Sequence, residues 1–270
     1  MMNKISKLFK ALSLLLSNPS LLNEVLDSPL NRKKEFLKQY ALSCGLDYVH
    51  LTDLINENSL HLNNYSYQGG NSFPTDLILL KKLCEQKSDC NYFEIGTWRG
   101  ESAIAVADSC RHCYTLNLSN QEMEAIGLEK DYINQHEIFS RSNPKITHLK
   151  GDSTKFDFSP YYGKMDVVFV DGNHHYDFVL NDTKAAFKLL KDENSVIVWH
   201  DYTKNGEDIR WDILKAILDG SDERNRKYIY QVKDTMSAIY TKKNIPTHPN
   251  SFWKAPKYSF DIQLNIRPLQ

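Results

Sequence analysis

Two aspartates and three histidines stand at short spacing behind two apolar runs. Asp171-Gly172-Asn173-His174-His175-Tyr176 follows Val167-Val168-Phe169-Val170, and His200-Asp201-Tyr202 follows Val196-Ile197-Val198-Trp199. Each run has the length and β-branched content of a fully buried strand. If the two strands are neighbours, Asp171, His200 and Asp201 converge. Two carboxylates and an imidazole form a ligand set for a divalent cation, with the oxygens favouring Mg²⁺ and His200 tilting it toward Mn²⁺ or Fe²⁺. The simpler role for either acid is to cap a helix start. The pairing of Asp171 with Asp201, flanked by His174, His175 and His200, favours a site.

A second chemical stretch lies upstream. Tyr92-Phe93-Glu94-Ile95-Gly96-Thr97-Trp98-Arg99-Gly100-Glu101-Ser102 reads as a buried strand ending in an acid, a tight turn with two glycines, and a helix start. Gly96 can take positive φ or admit a ligand close to the backbone, and Gly100 can let the helix start sit close to the strand. The pattern is E-x-G-x-x-x-G, not the G-x-G-x-x-G that lays a pyrophosphate over a helix N-terminus. An acid at the strand end suits a ligand with a cationic amino group better than an anionic one.

The elements that must position these residues alternate. Helices are predicted over 74–86, 101–109, 121–140, 177–191 and 207–218, and strands over 91–95, 113–118, 146–150, 165–170, 195–199, 227–232 and 237–240. This predicts a seven-stranded α/β fold, Rossmann-like and mostly parallel, with helices on both faces. The last two strands are joined too tightly for a crossover and must form an antiparallel hairpin. Ligands of such sheets sit beyond the carboxyl ends of the strands. Every predicted strand end there carries a polar group: Glu94, Asn117, Asp152 with Ser153, Asp171, and His200 with Asp201.

Three regions are expected: a helical appendage over 1–65, the α/β domain over 66–243, and an extended tail over 244–270. Within the first, Lys4, Lys7 and Lys10 interleave with Ile5, Leu8, Phe9 and Leu12 as a basic amphipathic helix. It either packs on the body or a second subunit, or lies on a membrane surface. A further helix is expected through Leu21, Leu22, Val25 and Leu26, and another over 31–42. The polar stretch 65–73, with Gly69-Gly70, is a boundary or a lid. The tail alternates over 258–264 and is expected to add an edge strand or an arm to a partner.

With 41% hydrophobic and 25% charged residues and a formal net charge of -1, nothing marks a nucleic-acid partner. Five cysteines without framework spacing point to a reducing, cytoplasmic setting. Cys110-Arg111-His112-Cys113 lacks the second ligand pair that zinc needs, and reads as two thiols at the start of a strand.

The E-x-G-x-x-x-G stretch resembles motif I of the class I S-adenosylmethionine (SAM)-dependent methyltransferases. Together with Asp-Gly-x-His-x-Tyr and His-Asp-Tyr, it resembles the branch of O-methyltransferases acting on sugars and natural products, such as the macrocin type, over about 75–240. The resemblance implies SAM as cofactor, with Glu94, Gly96 and the neighbouring Thr97, Gly100 and Ser102 at its methionine part. Asn117 then lies at the ribose, and Asp152 and Ser153 at the adenine. It further implies Asp171 beside the cofactor and, with Asp201, as a metal ligand, and His174 as general base. The chain departs from the family at Asn117, where an acid is usual, and at His200, where paired acids are common. Asn still bonds a hydroxyl, with less charge assistance.

The reaction implied is methyl transfer from SAM to a hydroxyl of a small-molecule, sugar or glycan acceptor, with Mg²⁺ or Mn²⁺ lowering the hydroxyl pKa and His174 or His175 taking the proton. Trp98, Tyr176, Trp199 and Tyr202 are candidates for an aromatic wall at the acceptor site. A homo-oligomer is the expected assembly. Three other readings are a nicotinamide-dependent oxidoreductase, a metal-dependent hydrolase, and a non-catalytic scaffold on the same fold.

Overall fold

The computed structural model describes residues 3–268 apart from 20, 23–27, 56, 58, 71, 252–254 and 267. The helix expected through Leu21, Leu22, Val25 and Leu26 lies largely outside the described residues. Helix α1 (Lys4–Ser17) is capped by Asn3, whose side chain accepts from the Ser6 N–H, and none of its residues is buried. Helix α2 (Pro29–Leu37) starts where proline is tolerated, and the Ser28 hydroxyl accepts from the Asn31 N–H at 3.4 Å. No helix among the described residues is long and apolar enough to cross a membrane.

Among the described residues the sheet has eight strands, one more than the sequence predicts. They are β1 (Tyr48–His50), β2 (Asn91–Ile95), β3 (His112–Asn117), β4 (Ile146–Lys150), β5 (Val167–Val170), β6 (Val196–Trp199), β7 (Ile229–Lys233) and β8 (Ala238–Tyr240), in the order β1-β7-β8-β6-β5-β2-β3-β4. All neighbours are parallel except β8, which runs antiparallel to both β6 and β7. The added strand, β1, comes from the segment expected to be helical. Its three residues are too few for periodicity to show, and it is fixed by pairing with β7 in the register Tyr48↔Gln231. The tail reaches the same edge through His248, which exchanges two backbone hydrogen bonds of 2.8 Å with Tyr48. Residues 258–264 form no strand.

Helices α3 (Leu51–Ile55), α4 (Pro74–Glu85) and α5 (Glu101–Val106) cover one face, and α8 (Tyr176–Leu189) and α9 (Trp211–Gly220), with α2, the other. β5 shows why this sheet reads as continuous apolar runs: Val167 and Phe169 join the core on the first face, Val168 and Val170 on the second. The helix predicted over 121–140 is instead two short ones, α6 (Asn120–Ala125) and α7 (Lys130–Ile133), with α10 (Glu223–Arg226) completing the set. Gly127, at φ 84°, and Glu137, at φ 63°, turn the backbone out of helical geometry.

From β2 the chain builds outward through β3 to β4, then returns to lay β5 on the other side of β2. The reversal falls between β2 and β5, where the crevice of an open α/β sheet opens.

Candidate functional site

The parallel pairing of β5 with β6 brings their carboxyl ends side by side, with Val170 opposite Trp199. Beyond those residues His200 Nδ1 lies 3.0 Å from Asp171 Oδ1 and 3.4 Å from Asp201 Oδ2. The candidate ligand atoms of Asp171, His200 and Asp201 all fall within 4.8 Å of one another. His200 is 7% exposed, yet neither ring nitrogen has a well-directed hydrogen bond. Burial pulls its pKa down, but Asp171, Asp201 and Asp76 outweigh this and hold it well above the usual imidazole value. His200 is thus an imidazolium held between Asp171 and Asp201; a cation would displace its Nδ1 proton, and a donor set of one imidazole and two carboxylates fits a divalent ion.

Asp201 sits at φ 56°, a region that aspartate tolerates better than most residues. His174 Nε2 approaches its Oδ2 at 3.1 Å, and Arg210 Nη1 its Oδ1 at 3.4 Å. Burial raises the Asp201 pKa, but His200, His174 and Arg210 more than reverse this and hold the carboxyl far below the usual range. His175 instead begins α8: its N–H donates to Asn173 Oδ1 at 3.0 Å, and its carbonyl accepts from Phe178 and Val179. The structure therefore gives His174, not His175, a carboxylate partner.

Glu94 is enclosed by the protein's own groups. It is 0% exposed, Tyr92 Oη donates to Oε2 at 2.7 Å, and Thr115 Oγ1 donates to Oε1 at 3.0 Å. Since Thr115 uses its proton on Glu94, Thr97 Oγ1 must donate across the 2.5 Å contact to Thr115. Burial lifts the Glu94 pKa to about 7, against hydrogen bonds from Ser102, Tyr92 and Thr115. Strand alternation puts Glu94 on the same face as Tyr92, the one covered by α4 and α5, where its carboxylate oxygens are engaged by protein groups. Glu94, Thr97 and Ser102 brace the loop from beneath.

The two glycines are also required by the protein's own backbone. Gly96 has φ 96°, and a Cβ there would lie 2.0 Å from the Asp171 carbonyl oxygen. Gly100 has φ 82°, and its Cβ would meet Ser140 Oγ at 2.0 Å. Gly100 thus makes room for the segment after α7 rather than for close packing on the strand. That segment is pinned to the loop where Glu137 N–H donates to the Trp98 carbonyl at 2.7 Å and Phe139 N–H to that of Arg99 at 2.9 Å.

The remaining expected cofactor residues line the neighbouring strand ends. Asn117 closes β3, and its carbonyl accepts from Gly151 N–H at 2.9 Å. Asp152 Oδ1 accepts from Thr154 N–H at 2.9 Å and from its hydroxyl at 2.7 Å, shaping the turn after β4. The Ser153 carbonyl accepts from Asn181 of α8 at 3.1 Å. These half-buried amide and carboxylate groups beside the Gly96 loop have the chemistry to hold hydroxyls and an amine, which fits SAM. The strap 65–73 crosses the same loop: Ser66 N–H donates to Glu101 at 2.7 Å and Arg99 to the Gly69 carbonyl at 3.3 Å.

The proposed aromatic wall does not form. Trp199 is in the core, donating to Thr183 at 2.9 Å; Tyr202 is fully buried under Leu46; and Tyr176 bonds Asp219 between α8 and α9. Of the four only Trp98 stays at the loop, tilted against Tyr132 and edge-on to His136 with ring centroids at 4.6 and 4.8 Å.

Sequence reasoning missed Asp76 and Arg210. Asp76, near the start of α4, is 1% exposed, 3.9 Å from His200 Nε2, and tied to Ser237 at 2.5 Å. Burial raises its pKa. Its only sequence signal is an acid in a first helical turn. Arg210 had none beyond its position after β6.

A family model described as a methyltransferase domain matches residues 93–202, from within β2 to just past β6. The uncharacterized protein R132 of Acanthamoeba polyphaga mimivirus is 26% identical over 149 residues, 53% of this chain, and the match spans 64% of that protein's length. Among solved structures the chain is similar to the SAH-bound methyltransferase PaMTH1 of Podospora anserina, at 15% identity, 85% of this chain, 96% of that one and TM-score 0.44. It is also similar to an O-methyltransferase of Bacillus cereus in complex with SAH, at 17% identity, 77% and 88% coverage and TM-score 0.42. The methyltransferase-domain match falls inside 75–240, the segment whose motifs carry the resemblance, and the mostly parallel α/β sheet is Rossmann-like.

Proposed function

We propose that the protein is a SAM-dependent O-methyltransferase that methylates a hydroxyl of a sugar, glycan or small natural product with help from a divalent cation. The observation that carries this reading is the convergence of Asp171, His200, Asp201 and His174 beside the Gly96 loop at the sheet's switch point.

SAM would supply an electrophilic methyl, and a cation held by Asp171, His200 and Asp201 would lower the pKa of an acceptor hydroxyl. The chain's own contribution is positioning and proton transfer. Asn117, Asp152 and the loop at 96–100 would orient the donor. Asp201 faces His174 Nε2, which fixes the proton on that nitrogen and leaves Nδ1 to accept the hydroxyl proton. Arg210 holds the other oxygen of Asp201. His174 has a 42% exposed side chain, so an acceptor can reach it.

Helix α1 belongs to the same proposal. Lys4, Lys7 and Lys10 lie on a helix whose Ile5, Leu8, Phe9 and Leu12 are all exposed, which fits contact with an anionic membrane surface.

Release of S-adenosylhomocysteine from SAM, assayed with a panel of polyhydroxylated and phenolic acceptors, tests the reading. Acceptor-dependent release that a chelator abolishes and Mg²⁺ or Mn²⁺ restores supports it. Acceptor-dependent release indifferent to chelation removes the cation from the account, and oxidation of an acceptor with NAD would replace the reading altogether.

A further inference from the structure

The five cysteines are scattered along the chain and all are free, yet folding gathers three of them. Cys84 lies in the last turn of α4, Cys90 directly precedes β2, and Cys110 lies two residues before β3 begins. Their sulfur atoms fall within 4.8 Å of one another. The backbone enforces this meeting: the Cys90 carbonyl accepts from the N–H groups of Arg111 at 2.8 Å and His112 at 3.3 Å, clamping the Cys90 segment to the one carrying Cys110. The apparent Cys110–Cys113 pair is not the unit. Cys113 is buried in the core with its thiol toward the Ala103 carbonyl at 3.8 Å, as a cysteine used as a small apolar residue would be.

We propose that Cys84, Cys90 and Cys110 form a three-thiolate site for a thiophilic cation, Zn²⁺ or Cu⁺. Soft sulfur ligands select these ions, and three donors suit a trigonal Cu⁺ or a Zn²⁺ with one further position open. Cys84 and Cys90 are fully buried while Cys110 is half-buried, so the cation has an approach on one side. Binding displaces one proton from each thiol, with no change in oxidation state. Lys87 and Lys191 reach Cys90 electrostatically and offset the thiolate charge that the cation leaves uncompensated; Asp166 acts in the opposite sense but is already held by Lys191 at 3.1 Å and the Asn91 N–H at 2.9 Å. A cation here would tie the end of α4 to the starts of β2 and β3. That is the amino-terminal end of the strands, opposite the carboxyl ends that carry Asp171 and Asp201, so the site is separate from the proposed reaction centre and independent of it.

The test is titration of the reduced full-length protein with Cd²⁺, a spectroscopic substitute for Zn²⁺, followed by the thiolate-to-metal charge-transfer absorption. The band should saturate at one ion per chain and persist in an Asp171→Asn, Asp201→Asn variant. Cys110→Ser, at the half-buried position, should weaken binding by ~10-fold or more. In the unaltered protein, bound cation should shield the half-buried Cys110 from alkylation, read by mass spectrometry, and leave Cys44 as it was. Retention of Zn²⁺ or Cu⁺ against a chelator supports the site and names the resident ion. The absence of a charge-transfer band, a band undiminished in Cys110→Ser, or shielding of Cys44 would overturn it.

Discussion

Gly96 and Asp171 are in contact through backbone alone: a single added carbon on Gly96 would stand 2.0 Å from the Asp171 carbonyl oxygen. The loop proposed to hold the methyl donor and the strand end proposed to hold the acceptor's cation are therefore one packed unit. Asp171 N–H donates to the Ile95 carbonyl at 2.8 Å, and Gly96 N–H to that of Leu116 at 2.8 Å, so three strand ends are locked together. Gly96→Ala combines left-handed strain with a backbone collision. It should cost about 3 kcal/mol of stability and lower SAM and cation affinity together. Urea unfolding with parallel titrations checks this; an Ala variant of unchanged stability would remove the contact from the account.

Glu94 makes stability pH-dependent in a direction opposite to most carboxylates. Its folded pKa of about 7 lies above the ordinary 4.5, because burial opposes its charge. The native state therefore binds the extra proton between these values. The stability this provides is complete below about pH 4.5 and is lost as pH rises toward about 7, on the order of 3 kcal/mol in all. Glu94→Gln should flatten that slope, measured by denaturation at pH 5 and 8. A slope unchanged by the substitution would show that Glu94 is not its source.

These two residues also show what the sequence revealed and what it hid. The strand ends, the bounds of β2 and β4 and the closing hairpin were legible because buried parallel strands write continuous apolar runs. The pairing of Asp171 with His200 and Asp201 followed once β5 and β6 were taken as neighbours. The reason for Gly96 was hidden, since its partner is backbone that any residue type would supply. The bonds that Tyr92 and Thr115 make to Glu94 were hidden, because Thr115 comes from a neighbouring strand whose register the sequence does not state. Asp76, β1 and the gathering of Cys84, Cys90 and Cys110 depend on contacts between distant segments that leave no local pattern.

His174 and His175 are adjacent but differ in what they face. With Asp201 at 3.1 Å, His174 is the residue proposed to take the acceptor's proton. His174→Ala should lower kcat by ~10²–10⁴-fold and leave SAM binding nearly unchanged, whereas His175→Ala should retain most activity. Turnover with calorimetric SAM titration of each variant separates the two. A larger loss for His175→Ala would reverse the assignment.

Among the described residues nothing buries the apolar side of helix α1: Phe9 is 68% exposed and no residue of the helix is buried. The full-length protein should sediment with vesicles containing anionic lipid, and removal of residues 1–17 should abolish this. Added salt should weaken it, because its lysines act through screened charge. Failure of the intact protein to bind would end the membrane assignment while leaving the fold and reaction centre untouched.

The central claim is that the crevice at the ends of β2, β3, β4 and β5 binds SAM. Thermal unfolding with SAM, S-adenosylhomocysteine or NADH, each with and without Mg²⁺ or Mn²⁺, tests it most directly. At 100 times its Kd a ligand adds about 2.7 kcal/mol to the native state, roughly 5–10 °C for a chain of this size. The account predicts that shift with SAM and S-adenosylhomocysteine and none with NADH, and a further shift with the metal that Asp201→Asn removes. No shift with either SAM or S-adenosylhomocysteine would contradict it, and would leave a methyltransferase fold that serves as a scaffold.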